Sequence, residues 1–281
     1  MLASSKEAFS EREFPMTDNN FSQIKSIAYS LTGINLSDHK KNMVYGRLAR
    51  RLRILSLPTF DAYCQLIAED NSIEHVEFIN AITTNLTSFF RENHHFEFLA
   101  NQLLPALMRK NIASKRLRIW SAGCSTGEEP YSIAMVVKSM AALASWDAKV
   151  LATDLDSNVV AKAKNGIYPA ERAENIPDKY RKFLSVDKSS ERVRVKQAVA
   201  DIITFKQLNL LRDWPMRGPF DVIFCRNVVI YFDTPTQKTL FDRYANILQS
   251  DGHLFIGHSE NLHNVSNRFS SLGKTIYQRK N

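Results

Sequence analysis

The stretch IWSAGCSTGEEPYSIAM, residues 119–135, contains a short apolar strand, a turn with two glycines and the start of a helix. Pro130 falls in the first helical turn, where a missing backbone N–H is tolerated. Gly123 and Gly127 allow unusual backbone angles and close approach of a ligand to the backbone. This order of elements is typical of the ligand-binding loop of an α/β sheet, although a purely structural turn is the alternative.

The same stretch also indicates the charge of the ligand. Its turn lacks the three glycines of G-x-G-x-x-G, and Glu128 and Glu129 begin the helix, at the positive end of the helix dipole. Two carboxylates are electrostatically unsuited to a pyrophosphate. They suit a ligand with positive charge, such as S-adenosylmethionine with its sulfonium and amino groups.

Further β-rich runs alternate with helix-like segments from Arg116 onward. They are LRIW (117–120), AKVLATD (148–154), FDVIFC (220–225) and HLFIGH (253–258). Such alternation predicts a parallel sheet covered by helices. ERVRVKQAV (191–199), after the turn-like DKSS (187–190), alternates like an exposed strand and predicts a small antiparallel excursion.

Polar residues follow these strands, at the edge where ligands bind to open parallel sheets. Asp154 is placed to accept both hydroxyls of a ribose; Asp156 is an alternative, and either could cap the helix that begins near Ser157. Asn227 offers an amide and Tyr231 a hydroxyl and a ring face. In the alternative interpretation, Asn227 is a turn residue and Tyr231 belongs to the core.

The segment TTNLTSFFRENHHF (83–96) places polar residues between apolar ones just before the sheet. An amphipathic helix start also accounts for this pattern. His94 and His95 are adjacent, so they do not share a helix face and are poor metal ligands. The sequence therefore predicts no metal site.

The N-terminal third is predicted to be helical, because apolar residues recur at helical spacing from about residue 21 to 79. The chain has a net charge of +8, and between His39 and Phe60 it has six basic residues and no acidic one: Lys40, Lys41, Arg47, Arg50, Arg51 and Arg53. A helix capped by Ser37 or Asp38 and ended by Leu57-Pro58 would carry them on a positive face. A simply solvated face is the alternative.

Targeting and redox signals are weak. No apolar run approaches the roughly 20 residues of a membrane-spanning helix, and residues 1–20 lack a signal-peptide core, so they are interpreted as a flexible tail. The three cysteines, Cys64, Cys124 and Cys225, fit neither a disulfide framework nor a zinc site. A reducing cytoplasm is expected, with Cys124 and Cys225 as apolar filler and not nucleophiles.

Four segments together, TTNLTSFFRE, STGEEPYSIAM, FCRNVVIYFD and GHSEN, resemble the CheR family of protein-glutamate methyltransferases, which modify bacterial chemotaxis receptors. The resemblance implies an α/β fold: a Rossmann-like S-adenosylmethionine-dependent methyltransferase domain over 81–281, with an inserted antiparallel β-subdomain at about 170–205. An all-helical receptor-recognition domain over 21–80 would precede it, after the tail of 1–20.

The resemblance also assigns roles to residues. Those implied to contact S-adenosylmethionine are Asn85, Thr87, Arg91, Glu129, Asp154, Asn209, Leu210, Arg226 and Asn227. Arg91 and Tyr231 would lie where the methyl group leaves sulfur. The basic residues Lys40, Arg47, Arg50, Arg51 and Arg53 would contact the receptor substrate.

The implied reaction esterifies specific glutamates on the cytoplasmic helical region of receptors and releases S-adenosylhomocysteine. A free glutamate, with a pKa of about 4.3, is already ionised at neutral pH, so no general base is expected. The expected protein is a cytoplasmic monomer, recruited to receptor arrays at the inner membrane, with neither nucleic-acid partner nor membrane insertion.

One departure from the family pattern and two rival interpretations stay open. SVDKSSERVRV replaces a glycine-rich stretch of some family members, so binding of a C-terminal receptor pentapeptide is undecided. A nucleic-acid methyltransferase is disfavoured, because CRNVVIYF stands where amino-directed enzymes have an Asn/Asp-Pro-Pro-Tyr-type loop. A binding module without catalysis is disfavoured because no motif is degraded.

Overall fold

A computed structural model of the chain describes residues 12–187 and 189–280. The chain divides into two compact units, one ending at Thr83 and the other beginning at Thr84. In the described ranges, no helix combines the length and apolar character needed to cross a membrane.

The first unit is helical, as predicted. Its helices are α1 (Asp18–Thr32), α2 (Lys41–Leu55), α3 (Phe60–Ala68) and α4 (Glu74–Ile82). Val44, Leu48 and Leu52 of α2 are fully buried, which confirms the apolar stripe. A 3-10 turn over Asp38–Lys40 precedes α2, and the N-cap of α2 is Lys40, so the predicted cap at Ser37 or Asp38 is wrong. The helix ends at Leu55, and the next residue, Ser56, has a left-handed φ of 54°.

The tail predicted over residues 1–20 is too long. Thr17 and Asn20 form a capping box that starts α1 at Asp18, and Met16 and Asn20 are buried. A satisfied helix N-terminus and a buried apolar residue fix this segment to the unit. Residues 1–11 of the predicted tail lie outside the described residues.

The second unit alternates strands with helices. Its helices are α5 (His94–Phe98), α6 (Leu104–Lys110), α7 (Glu128–Ser139), α8 (Ser157–Asn165), α9 (Asp178–Arg181), α10 (Gln197–Ala200) and α11 (Thr234–Ile247). Its strands are β1 (Arg116–Ala122), β2 (Asp147–Asp154), β3 (Ile167–Pro169), β4 (Leu184–Asp187), β5 (Arg192–Val195), β6 (Ile203–Gln207), β7 (Phe220–Cys225), β8 (Leu248–Ile256), β9 (Phe269–Gly273) and β10 (Ile276–Arg279).

The main sheet has seven strands in the order β6-β2-β1-β7-β8-β10-β9. β6, β2, β1, β7 and β8 pair in parallel, and β10 runs antiparallel to both of its neighbours. The predicted parallel sheet is therefore confirmed. Because the chain moves outward from β1 to β6 and then returns to β7, the topological switch point lies between β1 and β7. Ligands of open α/β sheets bind at this position.

The inserted subdomain differs from its predicted bounds of about 170–205. Its antiparallel sheet has the order β3-β5-β4, so it begins at Ile167 and its last strand ends at Val195. β6, which begins at Ile203, pairs with β2 at the edge of the main sheet. The exposed strand predicted over 191–199 is also shorter, because α10 begins at Gln197.

The core of the second unit lies on both faces of the main sheet. One cluster includes Ile119, Phe224 and Phe255, and the other includes Trp120 and Tyr244. Ile119 and Trp120 are consecutive in β1, so their side chains point to opposite faces. Burial on both faces explains why the run VIFC of β7 is apolar without alternation.

Candidate functional site

The glycine turn after β1 has the backbone that its sequence predicts. Gly123 and Gly127 have φ values of 141° and 100°. A Cβ on Gly123 would lie 2.3 Å from Val228 Cγ2, and one on Gly127 would lie 2.9 Å from Ala163 Cβ. Glycine is therefore required by backbone angle and by packing against other elements, in addition to any close approach of a ligand.

Asp154, at the end of β2, holds this turn through its carboxylate. Oδ2 accepts the backbone N–H of Ser125 at 2.8 Å, and Oδ1 accepts that of Asp156 at 3.0 Å. Burial raises the pKa of Asp154 to about 6, although these N–H groups favour the ionised form. Each carboxylate oxygen has a second lone pair, so both can accept a further donor from a ligand.

Asp156 has the capping role that the sequence left open. Its Oδ1 accepts the N–H groups of Asn158 at 2.8 Å and Val159 at 3.3 Å, at the start of α8. Its Oδ2 accepts the side-chain amide of Asn85 at 2.7 Å. Of the two residues, Asp154 is therefore the better candidate for binding a ribose, because its carboxylate contacts the backbone of the glycine turn.

The segment before the sheet lies against the glycine turn. The backbone carbonyl of Asn85 accepts a hydrogen bond from the Ser125 hydroxyl at 2.8 Å. The backbone carbonyl of Thr87 accepts one from Arg172 Nη1 at 3.1 Å. Asn85, Thr87 and Asp154 are thereby brought to one edge of the second unit, as the predicted cofactor contacts require.

Glu128 and Glu129 occupy the first turn of α7, as predicted, but both have protein partners. Glu129 accepts Ser121 Oγ at 2.7 Å and Arg226 Nη1 at 3.1 Å. Glu128 pairs with Arg172 at 3.2 Å. Burial raises the pKa of Glu129, and Arg226 opposes this increase. The expected attraction to a cationic ligand is thus partly replaced by contacts within the protein.

Arg226 follows β7 and is almost completely buried, with 6% exposure. Its Nη2 lies 3.3 Å from Glu92 Oε2 and donates to the carbonyl of Arg91. The Arg91 side chain donates to the Leu86 carbonyl at 3.0 Å. Arg226 therefore joins β7, α7 and the segment before the sheet, which is more than the cofactor contact predicted for it.

The turn after β7 is fixed by Glu260, for which no role was predicted. Glu260 is buried and accepts the N–H of Asn227 at 3.0 Å, Gly257 at 2.5 Å and Ile230 at 3.3 Å. Asn227 has a left-handed φ of 58°, so the turn interpretation of its backbone is correct. Tyr231 ends the following 3-10 turn and is half-buried, so it is not a core residue.

Asn209 and Leu210 follow β6 at the same sheet edge. Asn209 Oδ1 accepts the N–H of Leu211 at 2.9 Å, and Leu210 is buried in a core cluster. The Leu210 carbonyl accepts Arg243 Nη1 at 2.7 Å and Trp214 Nε1 at 3.1 Å. These hydrogen bonds hold the backbone at two residues that are predicted to contact the cofactor.

Cysteine and histidine chemistry is accounted for by packing and ionic contacts. Cys124 and Cys225 are buried, and burial raises both pKa values, so both remain thiols as the filler interpretation requires. Glu92, His94 and His95 offer ligand atoms within 4.8 Å of one another, although the adjacent histidines were predicted to be poor metal ligands. The Arg226 cation beside Glu92 opposes binding of a metal ion there.

In the first unit, the basic residues of α2 are less available than predicted. Arg51 forms two bonds of 2.7 Å to Glu74, and Arg47 donates to the Ala81 carbonyl at 3.1 Å. Arg50 is exposed, and Arg53 is 56% exposed although it pairs with Glu13. Lys40, at the start of the helix, is half-buried, and desolvation lowers its pKa. The outward charge is therefore concentrated at Arg50 and Arg53.

The edge around the switch point suits S-adenosylmethionine. Asp154 offers acceptors for ribose hydroxyls beside a glycine turn, and Glu129 offers negative charge near the helix start. Asn227, after β7, and the backbone of Leu210, after β6, lie at the same edge of the sheet, with β1 and β2 between those strands. These groups match the hydroxyl, cationic and aromatic parts of that molecule in kind.

Comparison with known proteins covers both units. Residues 19–83 match the family described as "CheR methyltransferase, all-alpha domain", and residues 85–278 match "CheR methyltransferase, SAM binding domain". Chemotaxis protein methyltransferase 2 of Pseudomonas aeruginosa is 44% identical over 276 residues, or 96% of each chain. Chemotaxis protein methyltransferase of Escherichia coli is 44% identical over 267 residues, 93% of this chain and 91% of that protein. The similarity therefore includes both compact units.

Proposed function

Because the chain belongs to the CheR methyltransferase family and is an S-adenosylmethionine-dependent methyltransferase, we propose that it methylates the γ-carboxylates of specific glutamates on chemotaxis receptors. The products are glutamate methyl esters and S-adenosylhomocysteine. The sites lie on the cytoplasmic helical region of the receptor, and the reaction contributes to sensory adaptation. The enzyme works in the cytoplasm as a monomer, recruited to receptor arrays. The 44% identity to named chemotaxis protein methyltransferases carries this proposal.

The proposed cofactor-binding residues lie on several loops, and each loop would bind a different part of S-adenosylmethionine. Asp154 binds the ribose, Asn209 and Leu210 flank the adenine, and Glu129 lies toward the methionine end. Further contacts come from Asn85, Thr87, Arg91, Arg226 and Asn227. When bound, S-adenosylmethionine supplies a methyl group activated by the positive charge on sulfur.

The protein's contribution to the reaction is positioning. A glutamate carboxylate is ionised at neutral pH, so no side chain has to remove a proton from it. Arg91 and Tyr231 orient the carboxylate and the reacting methyl, and the site excludes water from both charged reactants. Arg91 must not bind the carboxylate too tightly, since stabilising the ground state would slow transfer.

Transfer of radiolabel from methyl-labelled S-adenosylmethionine to receptor-containing membranes tests the proposed function. Mild alkali should release the label as volatile methanol, because carboxyl methyl esters are labile to base. Label that stays on protein or RNA after alkali would retain the methyltransferase assignment and overturn the proposed substrate.

We further infer that α2 faces the acidic helices of the receptor through Arg50 and Arg53. Reversing both charges, Arg50→Glu with Arg53→Glu, should slow receptor methylation several-fold at low salt and much less at high salt, since rim charges act mainly on association. Each pair should contribute about 0–1 kcal/mol. Initial rates across a salt series measure the effect.

The matched control is Arg109→Glu, which reverses an exposed charge in the last turn of α6. This variant should retain the wild-type salt dependence. If the α2 variant methylates receptors as fast as the wild type at low salt, then α2 is not the receptor-binding surface.

Cofactor affinity should depend on the ionisation of Asp154. Its pKa is raised to about 6 by burial, with the negative charge of Asp156 as a further contribution, so lowering the pH through 6 protonates the proposed ribose acceptor. S-adenosylhomocysteine should bind about tenfold more weakly at pH 5 than at pH 7. The effect of pH on folding has the opposite sign. Because the pKa of Asp154 is raised in the folded state, the stability that its protonated form contributes is lost as the pH rises through about 6.

Isothermal titration of S-adenosylhomocysteine between pH 5 and 7 measures this dependence. Asp154→Asn is the control, because it cannot ionise and should show weaker binding with little change over the same range. An equal pH dependence in both proteins would assign the titration to another group.

A further inference from the structure

We propose that Glu92 is a positioning residue that holds Arg91 in its binding conformation, through the guanidinium of Arg226. The observation is that one Arg226 nitrogen, Nη2, both faces the Glu92 carboxylate and donates to the carbonyl of Arg91. This inference rests on the proposed contact of Arg91 with the cofactor and assigns no direct contact to Glu92.

The two oxygens of Glu92 connect two different elements. Oε1 accepts the backbone N–H of His258 at 3.3 Å and the His258 ring Nδ1 at 2.9 Å, just beyond the end of β8. Oε2 lies 3.3 Å from Arg226 Nη2, just beyond the end of β7, and the Glu92 side chain is only 10% exposed. One carboxylate thus ties the segment before the sheet to the ends of two neighbouring parallel strands.

Glu92 remains negative throughout the physiological pH range. Burial opposes its ionisation, but Arg226 and the His258 hydrogen bonds outweigh it and lower the pKa of Glu92 to about 2. On its other side, Arg226 pairs with Glu129 at 3.1 Å. Two carboxylates therefore fix the orientation of the guanidinium, in which Nη2 donates to the Arg91 carbonyl.

The backbone around Arg91 needs this support. Phe90 and Glu92 have left-handed φ values of 52° and 57°, a conformation that non-glycine residues adopt only when their surroundings hold it. Phe90 is held by a hydrogen bond from its N–H to Ser132 Oγ at 3.0 Å. Its ring also stacks on that of Tyr180, with the ring centroids 4.8 Å apart. Glu92 is held by its carboxylate, so Arg91 lies between two fixed points.

The loss of Glu92 should affect Arg91 more than the start of the same segment. Asn85 has its own bonds to Asp156 and Ser125, and neither bond involves Glu92 or Arg226. A defect confined to Arg91 is therefore expected, and general unfolding of the segment is not.

A double-mutant cycle between Glu92→Gln and Arg91→Ala tests the inference. Glutamine keeps the size of the side chain but cannot neutralise Arg226. Glu92→Gln should weaken S-adenosylhomocysteine binding about tenfold in the wild-type background and less than about twofold in the Arg91→Ala background, because its effect passes through Arg91. Glu92→Asp, which keeps the charge, should restore part of the affinity.

Binding is measured by isothermal titration at a temperature where circular dichroism shows each variant folded. Glu97→Gln is the matched control, since Glu97 is an exposed carboxylate nearby that accepts the Asn93 side-chain amide at 2.8 Å; the affinity of this variant should equal that of the wild type. Equal weakening by Glu92→Gln in both backgrounds, or no weakening in the wild type, overturns the inference. Since this titration uses no receptor, its result is separate from failure of receptor methylation.

Discussion

Asp154→Ala should weaken S-adenosylhomocysteine binding by about 100-fold or more, the largest effect expected of any single substitution at the site. The carboxylate is the proposed acceptor of two ribose hydroxyls, and hydrogen bonds to a charged group are worth about 1.5–3 kcal/mol each. The same carboxylate holds the glycine turn through the N–H of Ser125 at 2.8 Å. Isothermal titration measures the loss.

Thermal stability should change much less than affinity in this variant. Burial raises the pKa of Asp154, which means that the fold disfavours its ionised form. Removing the carboxylate relieves this desolvation cost, which offsets the loss of its bonds to the N–H groups of Ser125 and Asp156. Asp178→Ala, which removes an exposed carboxylate in α9, is the control and should bind normally. A fall in unfolding temperature that accounts for the whole loss of binding would contradict the assignment of Asp154 to the ribose.

The sequence predicts the central sheet well because its strands are buried on both faces. FDVIFC is apolar at every position except Asp221 and corresponds to β7, all of whose residues are buried. β6, β9 and β10 were missed, and β6 and β9 lie at the edges of the sheet. β6 buries only Phe205, so an edge strand of this kind gives little hydrophobic pattern.

The site was predicted in part, and the missing residues share a physical cause. Residues near strand ends, such as Asp154 and Asn227, could be placed because parallel strands end at one edge. Glu260 was missed because its partner Asn227 is 33 positions away, and Glu92 because its partner His258 is 166 positions away. The positive face of α2 was overestimated for the same reason, since Glu74, which neutralises Arg51, lies on another helix.

Gly257→Ala is expected to disturb both stability and cofactor affinity, through the turn after β7. A Cβ at this position would lie 2.4 Å from Asn227 Nδ2 and 2.9 Å from Glu260 Oε2. Relief of these contacts must displace Asn227 or weaken the bonds of the buried Glu260 carboxylate to the N–H groups of Asn227 and Gly257. Overpacking of this kind costs about 1–3 kcal/mol.

The expected result for Gly257→Ala is an unfolding temperature lower by about 2–8 °C, together with S-adenosylhomocysteine binding weaker by about tenfold, since a displaced Asn227 would lose the cofactor contact proposed for it. Gly46→Ala is the control: Gly46 is exposed within α2 and has no atom within 4 Å of an added Cβ. That variant should be stabilised by about 0.5–1 kcal/mol and bind normally. Wild-type affinity in Gly257→Ala, despite reduced stability, would show that Glu260 supports the fold alone and that Asn227 does not bind the cofactor.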